Sequence, residues 1–245
     1  MSELDEAIAE LVLANHILAR IGVVDAFGHA SVRRPDRPGH FLLARNMAPA
    51  LVGEADILTF GPDSEPIGAE GERVYLERFI HGEIYRARPD VGSVIHSHSP
   101  AVIPFGIVRS APLRPVFHMA GFIGEAAPVF EIREVAGDDS DLLIKDRHLG
   151  QALAKRLGNA GIILMRGHGS TAVGASLRQA VYRAVYAELN ARLQSEALAL
   201  GAPTYLTAAE AKAAAAANDT QIDRAWSYWT MQVRGESGGA IPPGP

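Results

Sequence analysis

YLERFIHGEIYRARPDVGSVIHSHSP, residues 75–100, decides how this chain is read. Residues 75–87 carry helical spacing, and Pro89 stops the helix because it removes an N–H and disfavours helical backbone before it. The segment SVIHSH, 93–98, follows at once and reads as a strand. A helix delivered directly into a strand is the signature of an α/β chain. Side chains on a strand alternate faces, so His96 and His98 project to the same side. Two imidazoles at i and i+2 can share one cation with little backbone adjustment.

A lone HxH on a strand is more often a pair of half-buried histidines than a metal site. Two further features change that balance. Glu77 lies on the helix just upstream, where a carboxylate beside a metal serves as general base, general acid or labile fourth ligand. His168, in LMRGHGS at 164–170, follows a short apolar strand and is flanked by Gly167 and Gly169, which let the backbone turn tightly. Catalytic metal sites commonly use about three protein ligands and leave a position open. His96, His98 and His168 are therefore the candidate ligands.

Working outward, residues 3–21 predict an amphipathic helix, with Leu4, Ile8, Leu11 and Leu18 at helical spacing and acids in the first turns. Short strands are expected within 24–60, including 41–44 and 55–60, and near 113–117, 128–133 and 161–165. Helices are expected at 146–158 and at 177–200, the latter opened by a Ser176/Gln179 capping box and closed by Gly201. One Ala-rich helix is expected over 207–233. The segment 235–245, GESGGAIPPGP, has the composition of a disordered tail. With no repeat or linker in between, residues 1–234 read as one domain.

The 245 residues are enough for a sizeable buried core. A net charge of −5 argues against a nucleic-acid binder. No apolar run reaches bilayer length, so no membrane partner is expected, and the cytoplasm is the expected location. With no cysteine, disulfides and thiolate metal sites are excluded. A metal must then be held by imidazole, carboxylate or water, which suits Zn, Mn, Fe or Co.

FGHASVR at 27–33, the 75–100 segment and LMRGHGSTAVGASLRQAVYRAVYAE at 164–188 together resemble the class II aldolase/adducin family. The resemblance covers roughly residues 5–200. It implies a three-layer αβα fold with a largely antiparallel central sheet. It implies one divalent ion per subunit, Mn2+ or Zn2+ with Fe2+ or Co2+ also compatible, on His96, His98 and His168. The family's catalytic glutamate falls on Glu77, and a homotetramer with active sites between neighbouring subunits is implied.

The family's sugar-phosphate aldolases carry Gly-Asn, Thr-Gly and Ser-Ser pairs that hold a phosphate. Here those places read Gly28-His29, an Arg45-Asn46-Met47-Ala48-Pro49 loop, and Tyr75-Leu76. A phosphate dianion needs several donors to offset its desolvation, and the hydroxyl pair is gone. His118, in PVFHMAG, stands where the aldolases have a tyrosine acid supplied from a neighbouring subunit. Imidazole can fill that role near neutral pH.

The 45–49 loop, the LVGEADIL that follows and FHMAG resemble the branch that decarboxylates hydroxylated aromatic or pyridine dicarboxylates. The expected partner is thus a small aromatic or heteroaromatic carboxylate. Gly28, His29, Arg45 and Asn46 are the expected substrate-binding positions, with the planar Arg45 fork suited to a second carboxylate. An aldolase or epimerase acting on a hydroxy-keto substrate needs the same metal and glutamate, and is the alternative. A non-catalytic adducin-like module ranks last, because all three histidines are present.

Overall fold

The computed structural model describes residues 2–69 and 71–235. Seven strands form one mixed sheet: β1 (His29–Arg33), β2 (Phe41–Ala44), β3 (Ile57–Phe60), β4 (Ser93–Ser97), β5 (Val129–Phe130), β6 (Ile162–Met165) and β7 (Gly169–Gly174). Their order is β3-β2-β1-β4-β7-β6-β5. Every pairing is antiparallel except β5 with β6. The helices are α1 (Glu3–Ile21), α2 (Arg78–Ala87), α3 (Ile103–Ile107), α4 (Arg133–Ala136), α5 (Arg147–Leu157), α6 (Leu177–Leu200), α7 (Ala208–Asp219) and α8 (Ile222–Arg234). None is long and apolar enough to cross a membrane.

Strand alternation sorts the apolar residues into two cores, one on each face of the sheet. Ala30, Ile95, Ile162, Leu164 and Ala172 pack with α1, α6 and α8. Val94, Ile163, Met165 and Val173 pack with α2 and α5. The αβα layering and largely antiparallel sheet implied by the family resemblance are both present. His96 shares the parity of Val94, so its imidazole lies on the α2 face. His29 and Ser31 pair with His96 and Val94 across β1 and β4, and share that face.

Several local expectations need correction. The 75–87 helix begins only at Arg78, with Glu77 as its N-cap residue. Strand β3 starts at Ile57, because 54–56 form a 3-10 turn. The strand expected at 128–133 is only Val129–Phe130, and β7 was not foreseen.

No strand forms at 113–117. Pro112 and Pro115 remove ladder donors there, and α6 supplies substitutes. Asn190 accepts from the Val116 N–H at 2.9 Å and donates to the Arg114 carbonyl at 2.8 Å. Gln194 accepts from the Arg114 N–H at 2.9 Å and donates to the Pro112 carbonyl at 2.8 Å.

The capping box at Ser176 is half formed. Its hydroxyl takes the Gln179 N–H, while the Gln179 side chain accepts from Ala175 instead. The Ala-rich helix breaks into α7 and α8 at Thr220–Gln221, after the weak helix formers Asn218 and Asp219. The tail expected from 235 onward lies, after Gly235, outside the described residues.

Candidate metal centre

The ligand atoms of Glu77, His96, His98 and His168 all lie within 4.8 Å of one another. Strand β4 carries His96, and His98 follows just past its end. His168 sits on the turn between β6 and β7, and Glu77 caps α2. The Nε2 atoms of His96 and His98 are 3.2 Å apart, and those of His98 and His168 are 2.9 Å apart. Glu77 Oε2 lies 3.5 Å from His96 Nε2 and 3.4 Å from His168 Nε2.

Two backbone groups fix this arrangement. His168 Nδ1 is 2.9 Å from the Leu142 carbonyl oxygen, which only accepts, so Nδ1 carries a proton and in the neutral ring Nε2 keeps the lone pair. The Ile144 N–H donates to Glu77 Oε1 at 3.0 Å, leaving Oε2 to face the imidazoles. The loop after His98 is tied to α6, where Glu188 accepts from the Ser99 hydroxyl and from the Ala101 N–H.

Electrostatics favour neutral, ligand-ready imidazoles at His96 and His98. Burial depresses His96 to about 3, against the opposing pull of Glu77. Burial also lowers His98, with the His168 charge adding to the effect. His168 differs: burial works against its charge, but Glu77 and the Leu142 carbonyl outweigh it and raise its pKa. Burial pushes Glu77 upward, yet His96, His168 and the Ile144 N–H together hold it down to about 2.

The donor set fits a divalent cation. Three imidazole edges and an ionised carboxylate converge, with more lone pairs than protons to share between them. Metal–nitrogen bonds of about 2.0–2.1 Å place neighbouring ligand nitrogens roughly 3 Å apart, as these are. A histidine ligand whose other nitrogen donates to a carbonyl is the usual supporting arrangement.

The remaining predicted positions divide. Gly28 has φ +94°, and a Cβ there would meet Val24 Cγ1 at 2.7 Å and the His96 carbonyl oxygen at 3.0 Å. It therefore lets the chain enter β1 hard against β4. His29 follows, its ring centroid 5.0 Å from that of His96. Arg45 donates to Asp56 at 2.7 Å, and Asn46 is exposed. Their loop reaches the centre indirectly: Tyr75 donates to the Met47 carbonyl at 2.5 Å and packs 4.5 Å from the His29 ring. His118 is outside the cluster, exposed on a 3-10 turn beside a cleft lined by Tyr182, Tyr186, Tyr228 and Trp229.

The model of the class II aldolase and adducin N-terminal domain matches residues 9–195, most of the chain. The chain belongs to this family. Among class II aldolase/adducin proteins, decarboxylase tropJ of Talaromyces stipitatus is 37% identical, over 91% of this chain and 92% of that protein. A 3,4-dihydroxyphthalate decarboxylase of Arthrobacter keyseri is 30% identical, over 80% of this chain and 79% of its own length. The L-fuculose 1-phosphate aldolase of Glaciozyma antarctica PI12 superposes with a TM-score of 0.77 at 24% identity, covering 96% of this chain and 92% of that one, a likeness of fold. The decarboxylase relatives agree with the branch resemblance carried by the 45–49 loop and FHMAG.

Sequence reasoning missed Tyr75, His81, Glu188 and the two backbone partners of the centre. His81 was the one within reach, since it lies one helical turn after Glu77 and so shares its face. Glu188 and the carbonyl of Leu142 gave no local signal.

Proposed function

We propose that this protein is a divalent-metal-dependent carboxy-lyase that removes a carboxylate from a hydroxylated aromatic or pyridine dicarboxylate. The observation that carries the proposal is the convergence of His96, His98, His168 and Glu77. It is supported by decarboxylase relatives aligned along most of the chain, and by the absence of the serine pair that phosphate substrates need.

His96, His98 and His168 would hold the ion, Mn2+ or Zn2+, with Glu77 beside it. When bound, a divalent cation supplies Lewis-acid stabilisation of negative charge on a substrate oxygen, worth several kcal/mol. The chain's own residues do the rest. The buried wall of His29 and Tyr75 takes one side of the ring. Arg45, whose Asp56 partner engages Nε, offers its remaining donors to the second carboxylate.

In the reaction, the ring carbon bearing the lost carboxylate accepts a proton. The C–C bond then breaks, carbon dioxide leaves, and the bond electrons restore the aromatic ring. Within one chain, Glu77, ionised at the centre, would take the proton of the substrate's ring hydroxyl and return it to that carbon. His118 would reach a centre only across a subunit boundary, in a homotetramer with active sites between protomers.

The test is carbon dioxide release from ortho-hydroxy benzene and pyridine dicarboxylates by the Mn- or Zn-loaded protein. Release from at least one is expected. Cleavage of fuculose or ribulose phosphate with no decarboxylation of any such acid would overturn the proposal in favour of an aldolase.

A further inference from the structure

A second polar chain runs away from the centre between the sheet and α2. His29 Nδ1 lies 2.6 Å from His81 Nε2, and His81 Nδ1 lies 2.6 Å from Ser31 Oγ. Ser31 Oγ lies 2.7 Å from the Tyr85 hydroxyl. All four residues are buried. The topology explains the alignment. His29 and Ser31 alternate onto the α2 face of β1, while His81 and Tyr85 are four apart on α2 and face back to them.

Such a chain has a direction, set by where each proton goes. Among the described residues, the Tyr85 hydroxyl has one side-chain partner, Ser31, and Ser31 Oγ has two, Tyr85 and His81. Only one order uses every proton. Tyr85 donates to Ser31, Ser31 donates to His81 Nδ1, and His81 Nε2–H donates to His29 Nδ1. Any other order leaves a hydroxyl proton of Tyr85 or Ser31 buried without an acceptor, which folded proteins avoid. With Nδ1 accepting, the His29 proton is on Nε2.

Among the described residues His29 Nε2 has no hydrogen-bond partner, yet it is not among the polar atoms sealed from solvent. Its ring lies beside that of His96, on the same face of the sheet.

We propose that Tyr85, Ser31 and His81 are positioning residues that lock His29 as an Nε2–H donor at the wall of the metal centre. A fixed donor there donates to a carboxylate or phenolate oxygen and disfavours an ammonium or amide N–H at the same place. This selectivity rests on the decarboxylase reading, whereas the tautomer does not.

The experiment keeps the two apart. Long-range proton–nitrogen NMR correlations on the full-length protein, labelled with nitrogen-15 and loaded with zinc, report which His29 nitrogen carries the proton, without any turnover. The expected result is protonation at Nε2 alone in the wild type, and a mixture of tautomers in Ser31→Ala and Tyr85→Phe. A His29 protonated at Nδ1 in the wild type overturns the proposal, and that spectrum needs no variant to fold.

Titration with 2-hydroxybenzoate, an ortho-hydroxy acid with no second carboxylate to lose, then tests the selectivity. Tyr85→Phe is expected to bind it about tenfold more weakly at unchanged zinc content, the loss expected when one bond to a charged group becomes unreliable. Equal binding by wild type and variant overturns the selectivity. An Nε2–H His29 in a protein that decarboxylates nothing would leave the relay standing and remove the functional reading alone.

Discussion

One carbonyl oxygen does much to prepare His168 for the proposed role of ligand. Leu142 holds the Nδ1 proton, so in the neutral ring Nε2 offers the lone pair. Among the described residues His98 has no such backbone partner, and it is only partly buried. Yet its Nε2 lies between the other two, at 3.2 and 2.9 Å. Replacing it should therefore cost more than losing an outer partner, which typically weakens metal binding 10–100-fold. His98→Ala is expected to bind zinc more than about 100-fold more weakly than wild type, with an unchanged far-ultraviolet circular dichroism spectrum. Competition against a chromogenic chelator measures it.

At this scale the sequence was informative where chemistry is concentrated in rare residue types. Three histidines and one glutamate were legible because their pattern is improbable by accident. Tyr75 was not, since a tyrosine before a helix has many ordinary uses. The position of His118 beside another cleft was equally invisible, because nothing in PVFHMAG says which surface its turn will face.

The elements place these side chains by close approach. Gly167 and Gly169 flank His168 for different reasons. Gly167 has φ +68°, and a Cβ there would make only an ordinary contact with Leu142 Cδ1 at 3.7 Å, so a side chain meets backbone strain rather than a clash. Gly169 has no such φ, but a Cβ there would collide with the Ser97 carbonyl on the neighbouring strand. Gly167→Ala is expected to cost about 1–2 kcal/mol and keep the metal site. Gly169→Ala is expected to cost about 1–3 kcal/mol and weaken metal binding as well, because β7 must move off β4. Urea unfolding and metal titration of the two variants make the comparison, and equal metal affinities would contradict it.

The irregular segment 112–116 makes a similar point. Its backbone is satisfied by two side chains of α6 rather than by a ladder. Asn190→Ala would leave the Val116 N–H and Arg114 carbonyl without partners and is expected to cost about 1–3 kcal/mol in urea unfolding. A change below about 0.5 kcal/mol would show that water replaces Asn190 at no cost. A strand is the expectation here, in a segment carrying the apolar residues Leu113, Val116 and Phe117. Nothing in that segment hinted that Asn190 and Gln194, inside a helix, would complete the hydrogen bonding, since that pairing spans about seventy residues.

For the whole molecule, the α/β character was legible in the succession of helical and strand-like segments, whereas the largely antiparallel sheet was implied only by the family resemblance. Strand order was not legible, since β4 pairs with β1 and β7 across long stretches of chain. That order builds the centre. It sets His29 opposite His96 and brings the β6–β7 turn to the end of β4, so groups from four parts of the chain meet on one face. An ion bound only by the assembled site also stabilises the fold, by about 2.7 kcal/mol at a concentration 100 times its Kd. Chelator should accordingly lower the thermal midpoint, and zinc or manganese should restore it.

Metal titration of the chelator-stripped protein, followed by carbon dioxide release from an ortho-hydroxy aromatic dicarboxylate, measures structure and function together. Activity should rise in proportion to added ion, reach a plateau at one equivalent per chain, and fail to appear in His168→Ala. Full activity in the stripped protein, or a plateau reached without His168, would contradict a centre built from these three imidazoles and Glu77.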